Sequence, residues 1–528
     1  MSFRTNKSQQ MSLTDSFNGL TERERRYLDK SWAKGFAEIV FPIINEKRFS
    51  VLYDASSATR PNTPVNVIVG ALMLKELNSL TDDELLEAIL FDIRYQYALC
   101  TTSYAEQPIS DRTVSRFRER LRLYEEETGC DLLKEEMQSL AGVFAEYMGI
   151  SGTMKRMDSL MIASNCKKMS RLELFYVCVS NFVRAVLETG GIVNDRRFER
   201  YTDEGDKNTT IYRSKPEDIP ARISEIFLDA IALLEQYADG YKGTQEYEVL
   251  KRLIEEQSVM ADTGRELKDG KEIDPGSMQN PSDPDATYRK KAGKGYIGYV
   301  GNVVETVDRD SGASIVTEYD YQPNQYHDSQ FCKDVIAGYE KQEETIRVVA
   351  DGAYYGNSNI ETAAEKNIEL VTTAMTGSAP SEIHKDFIID EETKAVVRCP
   401  AGYKPTYCWH NKKRDDYRLT FDREQCENCP HQPDCKSVIQ KKYAMVKLSA
   451  AMVSRSAYQA KLGTDEYQEL ARFRNGVEGV PSILRRRYHV DEMPVYGLLN
   501  SKMWFSFKIG AVNIKKVLAW VAMACVIG

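Results

Sequence analysis

Ile346-Arg347-Val348-Val349-Ala350-Asp351-Gly352 is a short apolar run, broken only by Arg347 and closed by an acid and a glycine. Its length and content suit a buried strand, and Gly352 suits a turn at its end. Asp351 then stands at the C-terminal edge of a central strand, where open α/β sheets place ligands. Taken alone, the same residue also reads as the cap of a strand-to-helix turn. Outward from this run, residues 296–307 alternate with β-formers. Asp308-Arg309-Asp310-Ser311-Gly312 is a turn, and 313–321 is a second β run. Together they predict a hairpin. Helices are expected at 328–340 and 357–366, and a further strand at 368–373.

Upstream, 149–162 reads as a strand. Residues 167–240 and 245–258 have helical periodicity, with Phe182, Val183, Val186 and Leu187 in one stripe and Ile223, Ile226, Phe227, Ala230 and Ile231 in another. Residues 262–285 are rich in Gly, Pro, Asp and Lys and predict an exposed linker. The order strand, helical insert, hairpin, helix, strand, helix, strand predicts an α/β fold with an RNase H-like mixed sheet.

Before it lies an all-helical region. Thr21 and Glu24 have capping-box spacing. Val65, Ile68, Val69, Leu72 and Met73 share a helical face, as do Leu85, Leu86, Ile89 and Leu90 after a start at Thr81. The expected organisation is a helical N-terminal DNA-binding domain over 1–148, and a first part of the catalytic core over 149–376 with a helical insertion at about 165–285. A Cys-rich insertion over 377–462 and C-terminal core helices over 463–528 follow.

The chain has 528 residues and a net charge of −9. That length exceeds one compact core, and the total charge does not announce a nucleic-acid binder. Local charge does. Arg472 to Lys516 carries nine Lys/Arg against Glu478, Asp491 and Glu492, and Asp111 to Arg122 carries five Arg against two acids. A phosphate backbone responds to the local field. No stretch is apolar enough to span a bilayer, Val517 to Ile527 being about half the required length. That stretch is expected to be a core helix. With no secretory pattern at Met1-Ser2-Phe3-Arg4, a cytoplasmic protein without membrane contact is expected.

Three isolated carboxylates stand out. Asp351 is one. Asp158 follows Met154-Lys155-Arg156-Met157, and Glu478 lies in Arg474-Asn475-Gly476-Val477-Glu478-Gly479. Each has a plain structural reading: Asp158 as partner of Arg156, Glu478 as partner of Arg474 four residues before it. Converging, they would suit two Mg²⁺ or Mn²⁺ ions, which take oxygen ligands and serve phosphodiester cleavage. Pro481 pushes the residue before it out of the helical region, so Glu478 is expected at a helix end or kink.

Cys399, Cys426, Cys429 and Cys435 form a C-x2-C-x5-C core with one distant partner. In a reducing compartment such thiolates suggest a structural Zn²⁺, with Cys408, His410 and His431 as substitute ligands. The remaining cysteines, Cys178 and Cys525 among them, read as reduced core residues. Arg112, Arg116, Arg118, Arg120 and Arg122 line a predicted helix of the kind that helix-turn-helix proteins present to DNA. Arg485-Arg486-Arg487 follows Glu478 closely enough to hold a phosphate. Tyr407 and Trp409 read as core packing, with base stacking as the alternative.

The contexts Met157-Asp158-Ser159, Ala350-Asp351-Gly352-Ala353-Tyr354 and Arg474 to Gly479 resemble those of the DDE transposases of bacterial insertion sequences. More narrowly, the chain resembles the group named after insertion sequence 1182, in the superfamily of insertion sequences 4 and 5. Ile109-Ser110-Asp111-Arg112-Thr113, Phe117-Arg118, Asp285-Ala286-Thr287, Gly298-Tyr299, Tyr496-Gly497-Leu498 and Asn513-Ile514-Lys515 extend the likeness over nearly the whole chain. The resemblance implies that Asp158, Asp351 and Glu478 are metal-binding catalytic acids. It implies cleavage at transposon ends, then attack of the freed 3′-OH on target DNA. Double-stranded DNA is the implied partner, Arg474, Arg485, Arg486 and Arg487 are DNA contacts, and a homodimer on DNA is expected. Two rivals differ in outcome: a nuclease of the same fold that does not join strands, and a zinc-stabilised DNA-binding protein without catalysis. Many relatives carry an aromatic residue where this chain has Pro481.

Overall fold

A computed structural model describes the chain except residues 7–14, 55–59, 105, 191–195, 263, 292, 378–379, 391 and 528, and except the side chains of 524–527. Cys525 therefore lies outside the described side chains.

The centre is a six-stranded mixed sheet: β1 (Met154–Ala163), β2 (Thr287–Lys291), β3 (Lys294–Val307), β4 (Ser314–Pro323), β5 (Ile346–Ala350) and β6 (Ile368–Thr372). β3 is the long strand. It pairs antiparallel with β1 on one side, and with β4 and β2 on the other. Beyond β1 come β5 and then β6, both parallel. The Val- and Ile-rich composition of β5 reflects burial on both faces, as parallel strands require. Met157, Met161, Val300, Val304, Val348 and Ala350 pack under helices Asp328–Gly338 and Asn357–Glu365.

The other face packs differently. Leu160, Ile162, Val303, Tyr319 and Tyr321 join a core with the N-terminal helices and with the long C-terminal helix Leu498–Ile527. The N-terminal helices thus share a core with the sheet. Among them, Glu22–Asp29 carries the expected capping box. Val65–Leu77 is buried at every position but Asn66, more than one apolar stripe demands. Its Lys75 and Glu76 are accommodated by pairing, with each other and with Lys508 of the C-terminal helix.

Several expectations are corrected. In the helix Asp82–Phe91, Leu85 and Ile89 are buried but Leu90 is exposed. The segment 262–285 is exposed over most of its first half but is not, as a whole, a linker. Ser258–Ala261 and Gly264–Leu267 pair as a two-stranded ribbon, and Asp283 is fully buried, accepting from Ser164, Tyr299 and the Gly497 amide. A composition rich in turn formers marked irregular backbone, and it concealed burial. At the C-terminus, Val517 is fully buried and Leu518, Trp520 and Val521 pack part-buried against the same core, whereas Met523 is exposed.

Candidate active site

The parallel register of β1 and β5 sets the geometry. Arg156 is aligned with Val349. Two residues on, along both strands and on the same face, stand Asp158 and Asp351. Asp351 sits just past the strand, where its carboxylate accepts from the Ala353 amide at 2.8 Å and caps a 3₁₀ turn. Asp351 thus stands at the strand's C-terminal edge and also caps the turn that follows.

The third acid arrives from the helix Asp465–Arg474, which continues as a 3₁₀ turn over Asn475–Glu478 and then as the helix Gly479–Arg486. Pro481 falls in the first turn of that last helix, where its missing N–H costs nothing. The expected break before Pro481 is corrected: Val480 is helical, and Arg474, Asn475, Glu478 and Gly479 keep a right-handed helical backbone, so the segment only tightens to a 3₁₀ turn that ends at Glu478. Arg156 holds this segment to β1. Its guanidinium pairs with Glu305 at 2.6 Å, donates to the Phe473 carbonyl at 3.2 Å and lies over the Phe473 ring. Gly476 passes so close that a Cβ there would run into the Arg156 guanidinium. Burial pushes the Glu305 carboxyl up, but Lys516 and Arg156 outweigh that and hold it below the usual range.

Asp158, Asp351 and Glu478 meet at one side chain, Arg474. Nη2 of Arg474 lies 2.6 Å from Asp158 Oδ1 and 3.8 Å from Asp351 Oδ2, and Nη1 lies 2.9 Å from Glu478 Oε1. Asp158 and Asp351 are thus separated by less than those two distances combined. Arg474 is buried, Asp158 is mostly buried, Asp351 is part-exposed and Glu478 faces solvent. Burial raises the Asp158 carboxyl above its ordinary value; Arg474 and the Ser159 amide oppose this, and Asp351 adds to it. The pairing of Glu478 with Arg474 was legible as an i,i+4 spacing. The reach of Arg474 to the other two acids, 316 residues from Asp158 and about 120 from Asp351, had no sequence signal.

As a donor set, three carboxylates with oxygen ligands only suit hard divalent cations. The cluster already gathers around a cation, the guanidinium. Arg474 Nε is buried without a partner, so this cation is incompletely satisfied where it stands. Among the described residues no group of three or more His, Cys, Asp or Glu side chains is arranged to hold a metal ion.

In the Cys-rich segment, Cys399, Cys426, Cys429, His431 and Cys435 line one cavity of about 20 Å³, room for one small occupant. Burial pushes the Cys426 thiol up, helped by Cys399 and Cys429. It pushes Cys435 up to about 11, helped by the other three thiols. The four thiols thus face one cavity, and soft donors of this type are those zinc takes, but they are not drawn together as a metal-holding group in this structure. His410 is engaged elsewhere, 2.6 Å from Asp415 and stacked on Tyr417. Cys408 packs on the subdomain core.

The basic helix runs over Asp111–Thr128. Arg112, Arg116 and Arg120, at successive turns, line a cleft of about 580 Å³ with Arg60 and Tyr53. Arg118 faces inward. It holds Asp82 with two bonds, of 2.6 and 2.9 Å, and lies over Trp504. Its predicted place among the DNA-facing arginines is corrected accordingly. Arg122 pairs with Glu119 and Glu126. Beyond Glu478, Arg486 is exposed. Arg485 donates to the Met161 carbonyl and pairs with Asp491, and Arg487 reaches the Leu77 carbonyl.

Two family models match this chain. One, described as a transposase DDE domain, covers residues 398–518 and includes Glu478 and the four clustered cysteines. The other, described as Transposase domain (DUF772), covers residues 26–120 and includes the cleft-lining arginines. Together they support a DDE transposase of an insertion element. No curated protein matches the chain. Asp158 and Asp351 lie outside both matched ranges. No helix among the described residues is long and apolar enough to cross a membrane.

Proposed function

We propose that this chain is a transposase of the group named after insertion sequence 1182, built on an RNase H-like core. It would cut DNA at transposon ends and transfer the freed 3′-OH to target DNA. The observation that carries this reading is the meeting of Asp158, Asp351 and Glu478 on Arg474. The strand order β4-β3-β1-β5-β6, antiparallel and then parallel about β1, supports the fold assignment.

In this reading the three carboxylates hold two Mg²⁺ or Mn²⁺ ions, which when bound strengthen an attacking oxygen and stabilise the leaving one. The protein's own residues set the stage. Asp158 and Asp351 are fixed by adjacent strands. Glu478 approaches from the solvent side on a segment that Arg156 clamps to the sheet. Arg474 neutralises the acids in the resting protein, and Arg486 is exposed nearby to meet phosphate, with Arg485 and Arg487 beside it. Arg112, Arg116 and Arg120 would grip the duplex backbone, a sequence-independent and salt-sensitive contact. Cys399, Cys426, Cys429 and Cys435 would hold a structural zinc ion that cross-links a segment with a small core of its own. We further assign double-stranded DNA as partner, a homodimer as the assembly on DNA, and the cytoplasm as the place of action.

A strand-transfer assay tests this, with DNA carrying the element's ends and a target plasmid. Wild type is expected to cut and join, and Asp351→Asn to do neither while still binding DNA. Cutting without joining would favour the nuclease. Binding without either, in wild type, would favour the non-catalytic protein.

A further inference from the structure

The Cys-rich segment contains a four-stranded antiparallel sheet, whose strands are Tyr407–Asn411, Asp416–Phe421, Val438–Ile439 and Ala444–Ser449. Side chains alternate between its two faces. One face is the subdomain core: Tyr417, Leu419, Phe421, Val446 and Leu448 are buried. On the opposite face the register sets Tyr407 beside Thr420 and then Met445, and Trp409 beside Arg418 and then Lys447. Tyr407 is 59% exposed and Trp409 is 42% exposed. The reading of these two rings as core packing is therefore overturned. Arg418 lies over the Trp409 ring at 5.5 Å. Neither Arg418 nor Lys447 makes an ion pair among the described residues. Asp416 is the only acid among the outward positions of these strands.

Large exposed aromatic rings need a reason, since their burial is favourable. Here they stand two residues apart on one strand, about 7 Å between them, with cations in the neighbouring strands. Aromatic rings and Arg also occur at protein interfaces, but Lys is depleted there, and Lys447 stands beside Arg418 at the centre of this face. Between Tyr403 and Lys447 ten Lys/Arg stand against six Asp/Glu, in a chain that is acidic as a whole. Charge complementarity thus points to a polyanion, and the rings point to one with exposed π-faces. Paired and stacked bases of a duplex cannot offer those faces; unpaired bases can.

We propose that this sheet face binds single-stranded DNA, with successive bases on Tyr407 and Trp409 and backbone phosphates on Arg418 and Lys447. In the transposase reading the strand would be one left unpaired at a cut end. That identification rests on the reading; the binding itself needs none of the three acids.

The test is binding of the full chain to a labelled oligothymidylate of about twenty nucleotides, longer than one such platform needs, without added divalent cation. Trp409→Ala and Tyr407→Ala should each weaken binding by roughly 5- to 150-fold, the usual worth of one stacked base. Trp409→Phe should keep most of the affinity. Arg418→Glu with Lys447→Glu should weaken binding and flatten its salt dependence. Duplex binding should change little in all of them. Wild-type affinity in Trp409→Ala and Tyr407→Ala would overturn the proposal, as would equal losses for duplex. Tighter binding of oligouridylate than of oligothymidylate would move the assignment to RNA. If Asp351→Asn still cuts and joins DNA, the transposase chemistry falls while the platform stands; if the aromatic variants bind normally but Asp351→Asn is inert, the reverse holds.

Discussion

Arg474 Nη2 lies 2.6 Å from Asp158 Oδ1, an ion pair between a helix end and the middle of the central sheet. Arg474 is buried and Asp158 mostly so, and the same guanidinium also reaches Asp351 and Glu478. An arginine cannot shed its charge, so relief of this arrangement has to come from movement. A divalent cation placed between the same acids would compete with it directly.

The competition is measurable. Arg474→Gln should lower the thermal unfolding midpoint in metal-free buffer, because it leaves the mostly buried Asp158 without its counter-charge. Added Mn²⁺ or Ca²⁺ should then raise that midpoint more in the variant than in wild type. Equal shifts in the two proteins would mean that guanidinium and cation do not share a place.

Gly476 and Arg156 make a second coupled pair. Gly476→Ala forces the Arg156 guanidinium away from Glu305 and from the Phe473 carbonyl. Overpacking of this sort costs about 1–3 kcal/mol, and it loosens the segment that carries Glu478. Shortening Arg156 removes the obstacle, so the double variant Gly476→Ala, Arg156→Ala should be hardly less stable than Arg156→Ala alone. Additive losses of unfolding free energy would show that the two residues do not interact.

These relationships explain how far the chain could be read without its structure. The strands on either side of Asp351, the hairpin at 308–312 and the capping box at Thr21 are local patterns, and the chain obeys them. Asp158 and Asp351 could be singled out as acids at strand positions, yet their proximity depends on a parallel register between strands nearly 200 residues apart. No periodicity carries that information. Arg118 shows the opposite failure. Spacing along a helix gives the faces, but which face meets Asp82 and Trp504 is decided by packing. Trp409 failed because aromatic residues are usually buried and this sheet has only one covered face.

Arg118 and Arg116, two residues apart, should behave differently. Arg118→Ala is expected to lower stability by roughly 1 kcal/mol, a modest figure because Asp82 is part-exposed and screened, with DNA affinity little changed. Arg116→Ala should leave stability alone, weaken duplex binding across sequences, and reduce the salt slope by about one phosphate contact. Filter binding at several salt concentrations, beside thermal unfolding, separates the two. The opposite pattern would return Arg118 to the DNA-facing set.

The thiol cluster gives a pH-dependent prediction. In the metal-free protein burial and neighbouring thiols hold Cys426 above its ordinary value and bring Cys435 to about 11. At neutral pH these groups are protonated, and zinc takes thiolates, so binding must expel protons. Zinc affinity should therefore rise steadily from pH 6 to pH 8, with proton release on binding visible in a weakly buffered solution. Removing zinc with a chelator should unfold the segment around residues 399–449 first, exposing Phe387, Val396 and Leu419 of its small core, while the central sheet persists. Proteolysis confined to that segment is the expected readout, and Cys429→Ser should reproduce it without chelator. Zinc-free protein purified under reducing conditions that resists proteolysis there would remove the four-thiolate assignment.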